Sequence, residues 1–372
     1  MAKILIIGGG FSGLSAAARL CKFGLGMDTT LVDKKETTDF LPMLPDCIGR
    51  GVDPEFLSYS LADIAKKNGF RFIRDEIISL DLQKQVVFSK TQTMEYDYLL
   101  IASGSETNFY NNTAIQEHAL TLDSAEDAKK ILRTLSQNKF DNFIICGGGY
   151  TGIEVASNLR VYLDKSGREA SIIIAERAPA ILGPLPEWMK NYVAINLGEL
   201  KIEVILNTSI EEISGQRVIL SGGKIFERAL VIWTAGVKTA AFIQGLRLEK
   251  NPQGRIKVDE CLRIDNHCFA AGDAAYFTFG PGSLRMAVQF AITQGECAAV
   301  NIRNSIRGAR LKRYLPRDLG YIIPMANNRS CGNVLGFNLK GSLPTLLHFI
   351  MCIYRSYGIK NKTNITRRII RV

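Results

Sequence analysis

The stretch "KILIIGGGFSGLSAAARL" places three glycines between an apolar run and a helical pattern. Gly8, Gly10 and Gly13 have the Gly-x-Gly-x-x-Gly spacing, which allows a tight turn, close backbone approach to a pyrophosphate and close helix–strand packing. The pyrophosphate would lie at the helix N-terminus, where free N–H groups and the helix dipole favour an anion. A second run, "TTLVD", brings Asp33 within reach of ribose hydroxyls. These residues predict a dinucleotide site.

One such turn can also occur for packing reasons alone, but "NFIICGGGYTGIEVASNL" repeats the pattern at Gly147, Gly149 and Gly152. The run "SIIIAER" then ends in Glu176. A carboxylate accepts two ribose hydroxyls but repels a 2′-phosphate, so Glu176 favours NADH over NADPH. Arg177 leaves NADPH open, because an arginine can accommodate that phosphate.

A third signature, "HCFAAGDAAYF", contains Gly272 and Asp273. In flavoproteins with two nucleotide sites, such a strand closes the flavin site, and its aspartate reaches the ribityl chain or the pyrophosphate. Two further apolar runs, "YDYLLIASGS" and "ALVIWTAGV", end in small residues that let the chain approach a nucleotide. These small residues are Ser103, Gly104, Thr234, Ala235 and Gly236.

The order of the motifs predicts an α/β protein with two Rossmann-like dinucleotide-binding domains, the NADH-binding domain being inserted into the FAD-binding domain. We expect residues 1–110 and 255–318 to form the FAD-binding domain and residues 111–254 the NADH-binding domain. Residues 319–372 are expected to be a C-terminal membrane-interface helical segment. With 372 residues, the chain is long enough for more than one core.

The net charge of +10 is unevenly distributed along the chain. Residues 301–372 hold 14 Lys and Arg against one acid, Asp318, whereas the first 300 residues hold 32 basic and 35 acidic residues. A nucleic-acid-binding domain would spread its positive charge over a groove and interleave aromatic residues. We therefore expect no nucleic-acid partner.

Eight cysteines and three histidines are present, with no Cys-x-x-Cys pair, so the sequence predicts neither a zinc site nor a redox dithiol. The opening "MAKILIIGGG" is not a secretion signal, which favours a reducing cytoplasm.

The C-terminal run from Leu343 is too short to cross a bilayer, which takes about 20 apolar residues. Its polar residues recur at helical spacing, the rest is apolar, and six Lys and Arg follow in residues 355–372. This pattern is typical of a helix lying in a membrane interface with its cations toward anionic headgroups. The alternative is a helix that packs on the body or on a second subunit, which leaves a homodimer open. The polar stripe is Thr345, His348, Cys352 and Arg355, and the apolar line after Gly358 is Ile365, Ile369 and Val372, with Arg367 and Arg371 displaced from it.

Taken together, these motifs resemble the type II NADH:quinone oxidoreductases, single-subunit NADH dehydrogenases that do not pump protons. The glycine and Gly-Asp motifs are common to all flavoproteins with two dinucleotide sites. The stretches that point to this family are "GSETNF", "WTAGV" and "LLHFIMCIYRSYGIKNK". The resemblance implies non-covalent FAD, oxidation of NADH, reduction of a membrane quinone, and a peripheral location on the cytoplasmic face of the membrane.

The resemblance also assigns roles to residues. It implies that Gly8, Gly10, Gly13, Asp33 and Asp273 hold FAD. It places NADH on the second glycine turn and Glu176, with Glu154 catalytic beside the nicotinamide.

In the family, the helix after the Gly-Asp motif contributes Ala-Gln-x-Ala-x-Gln-Gln to a quinone pocket beside the flavin. In this chain the helix has Gln289, Thr293 and Gln294, so Gln289 is expected in catalysis and all three in quinone binding. Thr293 stands where the family has glutamine, which leaves the preferred quinone open. The N-terminal turn near Met286 and Ala287 is expected to point at the flavin, where the helix dipole would stabilise negative charge.

Three other functions fit part of the pattern. A sulfide:quinone oxidoreductase would need two cysteines at the flavin and no intact second nucleotide site. A disulfide or coenzyme A disulfide reductase would need a reactive thiol, for which Cys47 is the candidate, although its setting indicates a small core residue. A non-enzymatic FAD-binding redox sensor at the membrane would leave a complete NADH site without a purpose.

Overall fold

A computed structural model describes residues 1–24, 27–137, 139–280 and 282–370. The chain divides into two compact units of three segments each. The first unit comprises Met1–Thr38, Tyr59–Glu106 and Val237–Asp318, and the second comprises Asp39–Ser58, Thr107–Gly236 and Leu319–Val372. Residues 25, 26, 138, 281, 371 and 372 lie outside the described part, so the predictions for Arg371 and Val372 do too.

Helices and strands are interspersed along the chain. The α-helices, in chain order, are α1 (Phe11–Lys22), α2 (Leu44–Gly49), α3 (Leu61–Asn68), α4 (Thr113–His118), α5 (Ala125–Ser136), α6 (Tyr150–Lys165), α7 (Glu187–Glu199), α8 (Ala241–Gln244), α9 (Val288–Ile306), α10 (Ser342–Arg355) and α11 (Ile359–Ile370). Short 3₁₀ turns are formed by Leu41–Met43, Pro54–Leu57 and Gly272–Ala274.

The strands, also in chain order, fall into two groups. Those before the second glycine turn are β1 (Ala2–Ile7), β2 (Met27–Asp33), β3 (Thr37–Asp39), β4 (Ser58–Ser60), β5 (Arg71–Arg74), β6 (Ile77–Asp81), β7 (Val86–Ser89), β8 (Thr93–Glu95), β9 (Tyr98–Ile101), β10 (Glu106–Thr107) and β11 (Asn142–Cys146). Those after it are β12 (Ser171–Ala175), β13 (Ile202–Ile205), β14 (Ile210–Ser214), β15 (Arg217–Leu220), β16 (Ile225–Phe226), β17 (Ala229–Trp233), β18 (Val237–Lys238), β19 (Ile256–Lys257), β20 (Cys268–Ala270), β21 (Ala275–Tyr276), β22 (Thr278–Phe279), β23 (Gly282–Ser283), β24 (Gly320–Ile323), β25 (Ser330–Val334) and β26 (Phe337–Gly341).

The first unit is built on a parallel sheet with the strand order β20-β9-β1-β2-β5. Its central strands are continuous apolar runs, as parallel strands covered on both faces require. Gly295 lets α9 pack closely on α1, since a Cβ at this position would lie 2.2 Å from the Ser12 carbonyl oxygen. An antiparallel sheet of β6, β7 and β8 completes this unit.

The second unit has its own parallel sheet, in the order β13-β12-β11-β17. Strand β17 is buried along its whole length, and the isoleucine-rich β11 and β12 are buried except at their first residues. The antiparallel strands β14, β15 and β16 pack on the same core. The predicted α/β class with two Rossmann-like sheets is confirmed.

The C-terminal residues of the second unit begin with a sheet. Strands β24, β25 and β26 form an antiparallel meander, and only then do α10 and α11 follow. Residues 319–372 are predicted as a membrane-association segment with a helical run from Leu343, and the sheet before that run is not predicted, because its short strands mix polar and apolar residues.

The compact units also divide the chain differently from the predicted domains. Residues 237–254, expected in the NADH-binding domain, lie in the first unit. Residues 39–58, expected in the FAD-binding domain, lie in the second unit, where α2 packs on α6. That approach is close, since a Cβ on Gly49 would come within 2.3 Å of the Asn158 carbonyl oxygen. Such tertiary contacts leave no periodic signal in the sequence.

Candidate active site

The first glycine turn joins β1 to α1 as predicted. Gly13 is required by contact, because a Cβ there would lie 1.9 Å from the Gly8 carbonyl oxygen. A Cβ on Gly10 would meet nothing within 4 Å, so space is open beside the first turn of the helix. Within the described part of the chain, no side chain caps this helix. The arrangement suits a pyrophosphate at the free N–H groups.

Asp33 ends β2, and the backbone holds its carboxylate at the turn. Oδ2 accepts a hydrogen bond from the Gly9 N–H at 2.6 Å, and Oδ1 accepts one from the Lys35 N–H at 2.8 Å. Each carboxylate oxygen has a further lone pair for a ribose hydroxyl. The side chain is therefore fixed in place before any ligand binds.

The Gly-Asp turn lies in the same unit and has more support than the sequence indicated. The Asp273 Oδ2 accepts a hydrogen bond from the Ser105 hydroxyl at 2.9 Å. The buried Arg255 donates to the carbonyl oxygens of Asp273, Ala275 and Leu284 at 3.1, 2.6 and 3.2 Å. Burial raises the pKa of Asp273, although the Ser105 hydrogen bond and the Arg255 charge oppose the shift.

Gln294 is the residue whose predicted role the structure corrects. Its side chain is 1% exposed, and its Oε1 accepts a hydrogen bond from the Gly272 N–H at 2.7 Å. A buried amide that holds the Gly-Asp turn is not accessible to a quinone. Gln294 is thus a positioning residue of the first nucleotide site.

Two buried hydroxyl groups near the predicted flavin site bear on whether this site fits FAD. The Oγ atoms of Ser12 and Ser103 are buried and have no hydrogen-bond partner among the described residues. Buried polar atoms normally have partners, and the cost of leaving one unpaired is about 1–3 kcal/mol. Both serines belong to the motifs that surround the predicted flavin site, and a nucleotide with many acceptors would supply the missing partners.

The second glycine turn repeats the first in detail. It joins β11 to α6, and a Cβ on Gly152 would lie 1.9 Å from the Gly147 carbonyl oxygen. The Glu176 Oε2 accepts a hydrogen bond from the Gly148 N–H at 2.6 Å, and its Oε1 accepts one from the Ala178 N–H at 2.7 Å. Asp33 and Glu176 therefore hold the same position in the two units.

The strand end at "WTAGV" lies beside this turn. The Thr234 hydroxyl donates to the Cys146 carbonyl oxygen at 2.7 Å, and Trp233 Nε1 donates to the Asn108 carbonyl oxygen at 3.1 Å. Ala235 lies against Gly147, since a Cβ built on Gly147 would be 3.2 Å from the Ala235 Cα. These contacts explain why small residues follow the strand.

Glu154 lies on α6, one turn into the helix, and is partly buried. Burial raises the pKa of Glu154 to about 8, the Asp46 carboxylate adds to this shift, and the charge of His348 opposes it. At neutral pH the side chain is mostly the uncharged acid, which can donate a hydrogen bond or a proton.

A largely buried ionic cluster that the sequence does not predict joins α10 to α2. Asp46 forms an ion pair with Arg50 at 3.1 Å, and His348 Nε2 lies 3.9 Å from the Asp46 Oδ2. The same imidazole nitrogen lies 3.6 Å from the Cys352 Sγ. Burial opposes protonation of His348, but Cys352 and Asp46 outweigh it and raise the pKa of the imidazole well above its usual value.

The helix predicted to contact quinone is α9, in the first unit. The Gln289 Nε2 donates to the Asp318 Oδ1 at 3.0 Å, and the same oxygen accepts from Arg285 at 2.8 Å. The Thr293 hydroxyl is bonded to the Gln289 carbonyl oxygen at 2.9 Å and to the Tyr314 hydroxyl at 2.8 Å. Gln289 and Thr293 thus share one side of α9, away from Gln294.

The thiols give the rival reductases little support. All eight cysteines are free. Cys47 is 1% exposed, and burial together with the charges of Asp46 and Asp53 raises its pKa well above the usual value. A protonated, buried thiol is a poor nucleophile.

The comparisons with known proteins agree with this geometry. Residues 2–295 match the family model described as pyridine nucleotide-disulphide oxidoreductase. The demethylphylloquinone reductase NdbB of Synechocystis is 28% identical, over 95% of this chain and 92% of its own length. A type II NADH:quinone oxidoreductase of Staphylococcus haemolyticus is 24% identical over 91% of each chain.

Solved structures share the fold. The NDH2 of Plasmodium falciparum in complex with NADH superposes with a TM-score of 0.86 at 18% identity, over 100% of this chain and 98% of the other. The sulfide:quinone oxidoreductase of Aquifex aeolicus gives 0.82 at 20% identity, over 98% and 92%. The fold and its paired nucleotide turns define a flavoprotein of the two-dinucleotide class. The chain belongs to the pyridine nucleotide-disulphide oxidoreductase family, and the resemblance to type II NADH:quinone oxidoreductases is confirmed.

Proposed function

We propose that this protein uses FAD to oxidise NADH and to reduce a membrane quinone, without pumping protons. The observation that carries the proposal is the pair of matching glycine turns, each with a carboxylate held by two backbone N–H groups. Two complete nucleotide sites in one chain fit a flavoprotein that takes electrons from a nicotinamide.

The residues of each unit have separate tasks. When bound, FAD supplies the redox chemistry, taking two electrons from NADH and passing them to the quinone. The first unit would hold FAD through Gly8, Gly10, Gly13, Asp33, Ser103, Gly104, Gly272 and Asp273. The second would hold NADH through Gly147, Gly149, Gly152, Glu176, Ala235 and Gly236.

Glu154 would act beside the nicotinamide as an uncharged acid, and Gln289 with Thr293 would contact the quinone. Reduction of a quinone to a quinol consumes two protons, and a carboxylic acid with a pKa of about 8 can supply one near neutral pH. Asp318 fixes the Gln289 amide from one side.

The location would be the membrane surface, on the cytoplasmic side. Among the residues that the structure describes, no helix is both long enough and apolar enough to span a bilayer. Helix α10 has two faces, however. Its polar stripe turns inward, with Thr345 hydrogen-bonded to Ser330 at 2.6 Å and Cys352 buried, while large apolar residues of the opposite face are exposed. The exposed residues are Leu343, Leu346, Ile350, Met351 and Tyr354.

An apolar helix face of this kind is typical of a membrane-interface helix. Helix α11 differs, because Ile365 of its apolar line is fully buried in the protein. In this view α10 contacts the acyl chains, and the cations of α11 attract anionic lipid.

The test is an anaerobic titration of the purified, FAD-loaded protein. NADH should bleach the visible flavin band at one equivalent, and a short-chain quinone should restore it. NADPH should bleach it far more slowly. If NADH leaves the band unchanged while sulfide bleaches it, the proposal is wrong and a sulfide:quinone oxidoreductase takes its place.

A further inference from the structure

A pocket of about 300 Å³ lies beside α11 in the second unit, apart from the nucleotide turns. One wall comes from the helix and the other from the segment that follows α2. The lining residues are Gly51, Asp53, Phe56, Asn364, Arg367 and Arg368.

The position of Arg368 in this pocket depends on Gly51. Gly51 has a φ of +66°, and a Cβ at this position would lie 2.3 Å from the Arg368 Nη2. The Arg368 Nε donates to the Arg50 carbonyl oxygen at 3.3 Å. Arg50 is itself anchored by its ion pair with Asp46 and by a hydrogen bond to the Met325 carbonyl oxygen at 3.2 Å. A backbone carbonyl thus holds one edge of the guanidinium of Arg368, whose side chain lines the pocket.

The two arginine charges of the pocket are not neutralised by carboxylates among the described residues. Within residues 1–24, 27–137, 139–280 and 282–370, neither Arg367 nor Arg368 forms an ion pair with a carboxylate. The one acid of the lining, Asp53, caps the next 3₁₀ turn, where its Oδ1 accepts from the Glu55 N–H at 2.9 Å. Two guanidinium groups against one carboxylate leave a net positive site, and planar guanidinium groups bind phosphate well.

We propose that this pocket binds the phosphate of an anionic phospholipid headgroup. The inference rests on the proposed membrane association. A lipid is favoured over a soluble phosphate because α11 follows directly on α10, whose outer face exposes Ile350 and Tyr354, at 51% and 74%. Ile359, at the start of α11, is 85% exposed. The same pair of helices thus offers an apolar surface for acyl chains and a cationic pocket for a headgroup.

The test is flotation of the FAD-loaded protein with vesicles of phosphatidylcholine, with or without phosphatidylglycerol. The variant Arg367→Gln/Arg368→Gln removes two charges from the pocket, and Lys66→Gln/Lys130→Gln removes two from exposed positions outside both the pocket and α11. We expect phosphatidylglycerol to increase the vesicle affinity of the wild type. In the pocket variant this increase should be about tenfold smaller than in the control variant. Gly51→Ala keeps every charge but displaces Arg368, and should also lose the gain. FAD content and melting temperature verify that each variant is folded.

Equal losses in the two double variants would mean that the charges act at long range, and would overturn the site. Stabilisation of the wild type by inorganic phosphate, with vesicle binding alike in all variants, would instead identify a soluble phosphate ligand and overturn the lipid. If the wild type binds neutral vesicles but phosphatidylglycerol does not strengthen binding, the headgroup site is refuted and the proposed membrane association stands. Failure to bind either vesicle would refute the proposed membrane association.

Discussion

At the scale of single residues, Glu176 gives the most direct test of the nicotinamide site. In Glu176→Gln one oxygen can still accept a backbone N–H, but the second acceptor and the charge are lost. A charge-assisted hydrogen bond contributes about 1.5–3 kcal/mol, so the KM for NADH should rise by about tenfold or more. The preference for NADH over NADPH should fall, because the repulsion of the 2′-phosphate is gone.

Stopped-flow bleaching with each nucleotide measures both effects. Glu169→Gln is the matched control, since Glu169 is an exposed glutamate of the same unit. An unchanged preference in Glu176→Gln would show that another residue, such as Arg177, selects the cofactor.

Glu154 predicts a pH dependence of stability. Its pKa of about 8 in the folded protein lies above the ordinary value of 4.5, so the folded state binds this proton more tightly than the unfolded chain. The resulting stability is fully present below pH 4.5 and is lost as the pH rises through about 8. The raised pKa of His348 acts in the same direction.

In Glu154→Gln the free energy of unfolding should therefore fall less steeply over this range, by at most about 5 kcal/mol in total, since one pKa unit corresponds to about 1.4 kcal/mol. Urea unfolding at a series of pH values measures it. Identical slopes in wild type and variant would mean that Glu154 titrates normally in the folded protein.

At the scale of elements, the exposed face of α10 should set the affinity for neutral membranes. Leu346→Gln/Ile350→Gln removes two side chains that are 56% and 51% exposed. Burying one such side chain in an apolar phase contributes about 1.5–3 kcal/mol, so binding to phosphatidylcholine vesicles should fall at least tenfold.

The control is Ile195→Gln on α7, since Ile195 is 62% exposed but lies on a different helix. Sedimentation with vesicles compares the variants. Equal binding of wild type and double variant would place the membrane contact elsewhere.

The sequence predicted elements best where local spacing encodes geometry. The glycine turns, Asp33 and Glu176 were correctly placed beside their strands, because the Gly-x-Gly-x-x-Gly pattern describes a backbone conformation and its immediate neighbours. The contacts of Arg255 with the Gly-Asp turn and of His348 with Asp46 were not predicted, since these partners are distant in the sequence. Gln294 was predicted to bind the quinone, but its amide accepts from the Gly272 N–H, because the family motif does not state which face each residue occupies.

At the scale of the whole molecule, the C-terminal helices should also contribute to folding. A chain that ends at Gly341 loses the buried Phe349, whose ring centroid lies 5.0 Å from the Arg50 Cζ. It also loses His348, which lies beside the Asp46 carboxylate. Loss of one buried phenylalanine alone costs about 3–5 kcal/mol. We expect the truncated protein to melt at least several degrees lower, besides leaving the membrane.

Thermal unfolding of the full and truncated chains, followed by flavin fluorescence, measures this effect. Phe349→Ala separates packing from membrane contact, because its side chain points inward. Equal melting temperatures would show that the helices serve only the membrane.

The order of segments along the chain has a consequence for biosynthesis. The strands β11, β12, β13 and β17 of the second unit are all synthesised before β20, the last strand of the first sheet to be made. Asp273 and its supports Arg255 and Gln294 emerge later still than that second sheet. The nascent chain therefore carries the whole parallel sheet of the second unit before the first sheet and its Gly-Asp turn are complete, whereas the second unit gains its last segment, Leu319–Val372, only at the end.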